Sequence, residues 1–323
     1  MRRALVLGKF YPFHIGHEKL IEVACSQCDH LTVLVCASSR ETIPVEQRVA
    51  WLRSAYPDQE TVSVVGLAYD EDELPNTSVS NREVSRLWAE RCKELLPPLD
   101  LVVTGEPYGD FLAEFMGVSH FRIEREPCLS STAVRDDIIG KWDTLNRHCR
   151  RDLVRKITIT GTESTGKSFL AQRLAEHFET SWVCETAREI VSHTDSCTAQ
   201  DLHLIAEAHA QRIEEGTASA RRVLFIDTDV NTTISYAAFL FDMKLEVSNR
   251  ARAASRADLV LYLDRETPYV QDGTRLERTR RDALDQFHRL QLERAGVPCT
   301  VLRGSYDERF TEAVRIVEGL IPF

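Results

Sequence analysis

The octapeptide Gly161-Thr162-Glu163-Ser164-Thr165-Gly166-Lys167-Ser168 constrains this chain more than any other stretch. Its spacing is G-x-x-x-x-G-K-S; it follows the β-branched run Lys156–Thr160 and opens an amphipathic segment. Such a loop works between a buried strand and a helix, because its backbone N–H groups must converge on phosphate at the helix N-terminus. An α/β layer is therefore expected around it. In that setting Gly161, Thr162, Glu163, Ser164, Thr165 and Gly166 cradle the phosphates of ATP. Lys167 reaches the β- and γ-phosphates, and Ser168 ligates Mg²⁺.

The strand ahead of this loop belongs to a series. Trp182–Cys184, Val223–Ile226, Leu259–Leu263 and Thr300–Leu302 follow it. An earlier series comprises Ala4–Leu7, Leu31–Ala37, Val62–Leu67, Leu101–Thr104 and His120–Ile123, with helix-like segments such as His17–Cys25 and Asn81–Leu95. Strands alternating with helices in this way give parallel sheets. A chain of 323 residues that is 43% apolar is long enough for two such cores. The reading is α/β with two domains, 1–151 and 152–323, each on a mainly parallel sheet. The charged stretch Asn146–Arg155 lacks the Gly, Ser and Pro of a flexible linker and predicts a helical connector.

A second phosphate motif sits at the first strand–helix junction. Gly8-Lys9-Phe10-Tyr11-Pro12-Phe13-His14-Ile15-Gly16-His17 has the pattern G-x-F-x-P-x-H-x-G-H. It puts two imidazoles and free backbone N–H groups at a helix N-terminus, a setting that favours phosphate. Adenylyl transfer needs this chemistry: the attacking phosphate is already nucleophilic, so the site must align the reactants and offset charge at the α-phosphate. Late in the same series, Leu129-Ser130-Ser131-Thr132-Ala133-Val134-Arg135 supplies hydroxyls that can cap a helix and a cation beside it.

Carboxylates follow the Gly161–Ser168 loop at strand ends, where open α/β sheets bind ligands. Val223–Asp227 is a buried strand ending in an acid suited to organise Mg²⁺. Asp229 reads either as a holder of a substrate hydroxyl or as an exposed loop acid. Glu185, followed by Arg188 and Glu189, reads either as a general base for a substrate hydroxyl or as the N-cap of the next helix. Asp272-Gly273-Thr274-Arg275 opens a basic stretch to Arg281. After such a core it predicts a lid whose Arg275 meets the transferring phosphoryl group, with Arg280 and Arg281 solvated on a helix.

Composition excludes several classes. A net charge of −10 disfavours a broad nucleic-acid surface. No apolar run approaches the roughly 20 residues that span a bilayer. The basic-then-apolar start, Met1–Leu7, is too short for a signal peptide and reads as a strand. Nine scattered cysteines give no disulfide framework and point to the cytoplasm. Cys25 and Cys28 form a lone C-x-x-C on a predicted helix, short of the ligands a zinc site needs.

The first motif, with Ser130–Arg135, resembles the HxGH nucleotidyltransferases, a Rossmann-like family with an I-S-S-T-x-x-R signature; Leu129 replaces the usual isoleucine. By that resemblance His14 and His17 contact the ATP phosphates and Arg135 grips the triphosphate. The Thr104-Gly105 strand end sits near adenine, and Gly8, Lys9, Phe10, Ser131 and Thr132 complete the ATP contacts. The order of this domain before a P-loop kinase resembles the NadR family. Further resemblance lies in Gly8–Pro12, Ser80-Asn81, Glu185–Glu189, His209-Ala210-Gln211, Phe225–Asp229, Asp272–Arg275 and Tyr306–Phe310. It implies two reactions with Mg-ATP: phosphorylation of nicotinamide riboside, and adenylylation of nicotinamide mononucleotide to NAD. Glu185, Arg188, Asp229 and Asp272 would then bind the kinase substrate, with Lys167, Asp227 and Arg275 catalytic beside Glu185, and Ser168 and Asp227 on the metal. Val79 and Cys184 stand where the family has aromatics, and Tyr269 where tryptophan is common, so the resemblance does not carry the contacts to the nicotinamide ring. The first catalytic strand starts near the fourth residue, so no helix-turn-helix domain of the kind some members carry is expected. The family is also associated with a riboside transporter, and the sequence leaves a homo-oligomer open. Two rivals share the motifs: a phosphopantetheine adenylyltransferase fused to dephospho-CoA kinase, and a non-catalytic nucleotide sensor.

Overall fold

A computed structural model describes residues 1–76, 81–124, 130–191, 197–265 and 278–321, without the side chains of Arg188 and Arg278. The chain divides into two compact units, Met1–Asp152 and Leu153–Phe323.

The first unit runs β1 (Arg3–Gly8), α1 (Ile15–Ser26), β2 (His30–Ser38), α2 (Val45–Ala55), β3 (Val62–Tyr69), α3 (Arg82–Leu95), β4 (Leu101–Thr104), α4 (Tyr108–Met116), β5 (Ser119–Arg122), α5 (Ser131–Asp136) and α6 (Arg147–Leu153). Its strands pair in the order β3-β2-β1-β4-β5, all parallel. Ala4, Leu5 and Val6 are wholly buried, as a central parallel strand covered on both faces must be. Leu5 and Leu7, two residues apart, share a core with Trp88 and Cys92 of α3 and Leu112 of α4. Strand order reverses between β1 and β4, so their carboxyl ends, Gly8 and Thr104, flank the crevice where such sheets bind ligands. The charged connector stretch forms α6.

The second unit comprises β6 (Arg155–Thr160), α7 (Lys167–His177), β7 (Trp182–Val183), α8 (Ala187–Ile190), α9 (Ala199–Ser219), β8 (Val223–Asp227), α10 (Val230–Phe241), α11 (Asn249–Ala254), β9 (Leu259–Leu263), α12 (Arg278–Arg294), β10 (Thr300–Leu302) and α13 (Tyr306–Glu318). Its sheet, ordered β10-β9-β6-β8-β7, is also parallel throughout. Ile157, Ile159, Phe225 and Leu261 pack on Leu170 and Leu174 of α7 and on Ala313 and Val317 of α13. The loop after β6 therefore has β8 and β7 on one side and β9 and β10 on the other. Among the described residues no helix is long and apolar enough to cross a membrane.

Candidate functional site

The first site grows from the end of β1. Phe10 is buried and takes a left-handed backbone, φ 50°, where a bulky residue is strained. His14 is the N-cap of α1, and its Nδ1 accepts the N–H of Gly16 at 3.1 Å. His17 Nδ1 accepts the N–H of His14 at 3.4 Å, which closes a reciprocal cap. Because each Nδ1 accepts, each neutral ring carries its proton on Nε2. Both Nε2 atoms then point at one place, the Ser131 hydroxyl, at 3.2 Å from His14 and 3.4 Å from His17. The rings lie 3.9 Å apart, and Phe10 backs His17 at 4.7 Å. Two converging N–H donors at a helix N-terminus suit an anionic oxygen.

A cavity of about 280 Å³ opens beside them. Gly8, Lys9, Phe10, His17, Thr104, Gly105, Ser131, Thr132 and Arg135 all line it. His14 reaches it through Ser131. Ser130 caps α5 by accepting the N–H of Ala133 at 3.1 Å. Arg135 donates to the Tyr11 carbonyl and lies over the Tyr11 ring at 4.9 Å.

Sequence reasoning missed other lining residues: Glu41, Tyr69, Asn76, Trp88, Glu106 and Tyr108. Tyr69 ends β3, and the strand-end rule could have found it. Nothing local marks Trp88, which meets Tyr69 edge to face at 5.1 Å. Glu41 accepts from Lys9 Nζ at 2.8 Å and from Arg48 at 2.7 Å. Burial works against ionising Glu41, yet these two cations outweigh it and hold its carboxyl below the usual range. Arg48 is fully buried, and it also donates to the carbonyls of Ile43 and Lys9 at 3.0 and 3.1 Å. It thereby fastens the Gly8–Tyr11 turn.

Thr104 is fixed by a chain of side chains. Asp110 Oδ1 meets His120 Nδ1 at 2.7 Å, and His120 Nε2 meets Thr104 Oγ1 at 3.0 Å. Only glycine fits at 109, because a Cβ there would lie 2.3 Å from both Thr104 Oγ1 and His120 Nε2. Gly109→Ala is expected to destabilise the first unit by about 1–3 kcal/mol through overpacking. It should also raise the KM for ATP in nucleotidyl transfer, which thermal melts and steady-state kinetics would check. Unchanged values of both would show that the chain is not under this constraint.

In the second unit the loop takes left-handed turns at Gly161 (φ 137°) and Gly166 (φ 90°). At Gly161 a Cβ would sit 2.7 Å from the Leu263 carbonyl, so glycine is required on both counts. Lys167 Nζ donates to the Thr162 carbonyl at 3.1 Å, folded back on the loop that would hold its phosphates. Ser168 Oγ donates to Asp227 Oδ2, and Asp227 is wholly buried at the end of β8. A hydroxyl beside a buried carboxylate is a hard oxygen pair that fits Mg²⁺.

Asp229 is not the exposed loop acid that one reading allowed. It is 2% exposed and caps α10, accepting the N–H of Thr232 at 3.0 Å and Asn231 Nδ2 at 2.7 Å. Burial pushes its carboxyl above the usual range. Glu185 lies two residues beyond β7, half-buried, and the cap of α8 is Thr186, so the N-cap reading of Glu185 also falls. Between them stands His209. Its Nε2–H donates to the Thr228 carbonyl at 3.2 Å, and its Nδ1 accepts from Thr186 Oγ1 at 3.0 Å. Burial holds its pKa below the ordinary value, although the charges of Asp229 and Glu185 oppose this. His209 thus bonds the residues next to the two acids, Thr186 after Glu185 and Thr228 before Asp229, and anchors Thr228, a β-branched residue at φ 70°.

Two arginines brace the loop. Arg309 of α13, 1% exposed, donates to the carbonyls of Thr165 at 3.1 Å and Asp264 at 2.8 Å. Arg281, expected in solvent, is 2% exposed, and its carbonyl lies 3.4 Å from Thr162 Oγ1. The correction has a simple cause: α12 packs against the loop, so its arginine is covered. Arg280 remains exposed. His288 of α12 is buried and pushed down to about 3, by desolvation first and then by the Lys167 charge. Asp272, Gly273, Arg275, Val79, Ser80, Leu129, Tyr269 and the Arg188 side chain lie outside the described residues.

Known proteins share both halves. Residues 5–137 match the cytidylyltransferase-like family model, and residues 156–309 match the AAA domain model. The chain is 29% identical over 348 aligned positions to the trifunctional NAD biosynthesis/regulator protein NadR of Escherichia coli, covering 98% of this chain and 83% of that protein. Nicotinamide-nucleotide adenylyltransferase of Aeropyrum pernix is 30% identical over 143 positions, covering 42% of this chain and 78% of that protein. Among solved structures, NadR in complex with NR superposes with a TM-score of 0.69 at 22% identity, covering all of this chain and 96% of that one. NadR with NAD and AMP-PNP gives 0.68 at 24%, covering 98% and 95%. These two structures share the fold. The chain therefore belongs to the NadR family, and its first unit to the nicotinamide-nucleotide adenylyltransferases.

Proposed function

We propose that this chain is a bifunctional enzyme of NAD synthesis. Residues 152–323 phosphorylate the 5′-hydroxyl of nicotinamide riboside, and residues 1–151 transfer AMP from ATP to the resulting mononucleotide, releasing pyrophosphate. The observation that carries this reading is two independent side-chain arrays suited to phosphate, each at the first strand–helix junction of its own parallel sheet.

In the first site the mononucleotide phosphate attacks the α-phosphorus of ATP. The Nε2–H groups of His14 and His17 donate to phosphate oxygens where they now meet Ser131, and Arg135 adds positive charge. Thr104 and Gly105 floor the adenine side. The Tyr69–Trp88 wall suits the flat, cationic pyridinium of the mononucleotide. In the second site Lys167 turns from the Thr162 carbonyl to the β- and γ-phosphates. Glu185 accepts the substrate proton, while Asp229, Asp272 and Arg188 orient the riboside. Arg275 reaches the phosphoryl group when the lid closes. Ser168 and Asp227 would hold Mg²⁺, which supplies charge neutralisation to the triphosphate. The eight described cysteines are all free thiols, which supports a cytoplasmic setting. The family's link to a riboside transporter and a homo-oligomeric state belong to the same proposal.

The test is turnover of ATP with four acceptors: nicotinamide riboside, its mononucleotide, phosphopantetheine and dephospho-CoA. Product is expected from the first two, with at most traces from the others. Turnover of dephospho-CoA but not riboside would move the enzyme to coenzyme A synthesis. Absence of turnover with all four would leave a nucleotide sensor.

A further inference from the structure

α12 lays one face along the Gly161–Ser168 loop. Arg281, whose carbonyl lies 3.4 Å from Thr162 Oγ1, and His288 stand two helical turns apart and so share that face. His288 is 2% exposed, and its neighbours on α10 are fixed. Tyr236, whose ring lies 5.4 Å from the imidazole, donates its hydroxyl proton to Glu163 Oε1 of the loop at 3.0 Å. Ser235 donates its proton to the Thr232 carbonyl at 2.7 Å, so toward His288 Nδ1 the same hydroxyl oxygen can only accept. The imidazole therefore carries its proton on Nδ1. Burial and the Lys167 charge keep the ring neutral, which leaves Nε2 as a bare lone pair. That nitrogen is buried and meets no hydrogen-bond donor among the described residues.

Leaving a buried acceptor unmet costs stability, so its partner is to be sought in another state of the site. Phosphate oxygens are acceptors too and do not satisfy a bare lone pair; only a donor does. Lys167 supplies one. Its ammonium turns freely on a flexible stem, lies within electrostatic reach of the imidazole, and donates to the Thr162 carbonyl at 3.1 Å. Binding of ATP draws the ammonium from that carbonyl to the phosphates, which releases an N–H for Nε2. A neutral acceptor also fixes the ammonium without cancelling the charge it brings to the phosphates, as a carboxylate would.

We infer that His288 is a positioning residue for phosphoryl transfer: its Nε2 accepts a hydrogen bond from Lys167 when the ammonium moves to the β- and γ-phosphates, and holds it there. The inference rests on the proposed kinase reaction and adds to it a side chain of α12 that no phosphate motif contains.

Two measurements on the full chain test it. The first is kcat for riboside phosphorylation. His288→Leu fills the space without an acceptor and should lower kcat about tenfold, the worth of one hydrogen bond to a charged group. His288→Gln sets an amide oxygen near the place of Nε2 and should recover kcat to within about threefold of wild type. His288→Asn, whose amide ends near the place of Nδ1, should stay as slow as the leucine variant. In a Lys167→Ala background, His288→Leu should cost less than about twofold more, because the group it positions is gone. A further tenfold loss there would make His288 a packing residue and overturn the inference, as would equal rates in the glutamine and leucine variants.

The second measurement needs neither turnover nor a change at His288. On adding Mg-AMP-PNP, the nitrogen resonance of Nε2 should move toward that of a hydrogen-bonded acceptor in wild type and stay still in Lys167→Ala. A resonance that stays still in both, or shows Nε2 taking up a proton, overturns the inference. If it moves as expected while riboside is not phosphorylated, the contact is upheld and the riboside reading fails.

Discussion

His17→Ala should lower adenylyl transfer by about 10²–10³-fold while riboside phosphorylation stays within about twofold of wild type. The expectation comes from the donor geometry. His17 Nδ1 is occupied by the His14 N–H, so its Nε2–H is directed toward Ser131 together with that of His14. Alanine removes one of the two converging donors. It also removes the acceptor that closes the cap of α1, a loss of about 1 kcal/mol, and leaves a gap against Phe10. His17→Asn separates these effects, because its side-chain oxygen can still accept from His14 while the Nε2–H is gone. The asparagine variant should melt closer to wild type than the alanine variant, yet stay as inactive in adenylyl transfer. Single-turnover assays of both reactions, with thermal melts, would decide it. Loss of both activities in a folded His17→Ala protein would end the two-site reading. Recovery of adenylyl transfer in His17→Asn would reduce His17 to a cap.

Lys167→Ala should give the complementary result. Phosphorylation falls about 10²–10³-fold, and adenylyl transfer continues. Lys167 gives the described fold one hydrogen bond, to the Thr162 carbonyl at 3.1 Å, worth about 1 kcal/mol, so the second unit should remain folded. Other parts hold the loop without it. Arg309 bonds the Thr165 carbonyl, Thr165 Oγ1 donates to the Thr162 carbonyl at 2.8 Å, and Ser168 meets Asp227. Lys167→Arg keeps the charge on a longer, planar head and should not restore the rate, because the loop is shaped for a compact ammonium. Phosphorylation by Lys167→Ala within tenfold of wild type would remove Lys167 from the catalytic group. Full recovery in Lys167→Arg would show that charge alone is required.

Both phosphate motifs were legible in the sequence because their physics is local. A glycine that must turn left, an N-cap and a run of N–H groups at a helix start depend on residues within about one turn of each other. The parallel strands were legible for a related reason: buried on both faces, they read as short apolar runs such as Ala4–Leu7 and Val223–Ile226. Their ends then followed, which is why Asp227 could be named in advance, whereas Gly8 and Thr104 were named through the family resemblance. The remaining parts of the sites are brought together by the fold. Trp88 sits mid-helix in α3 and comes to the cavity only because α3 packs over the sheet. Arg48, Arg281 and Arg309 look in sequence like the solvated charges of amphipathic helices. Arg309 is buried because its partner, the Thr165 carbonyl, lies 144 residues away, and Arg281 because α12 is laid on the phosphate loop. Asp229 and His209 were visible as residue types, but their burial and tautomers depend on packing between α9, α10 and the end of β8. Charge pattern reports where a side chain can tolerate water; only the packed fold decides whether water reaches it.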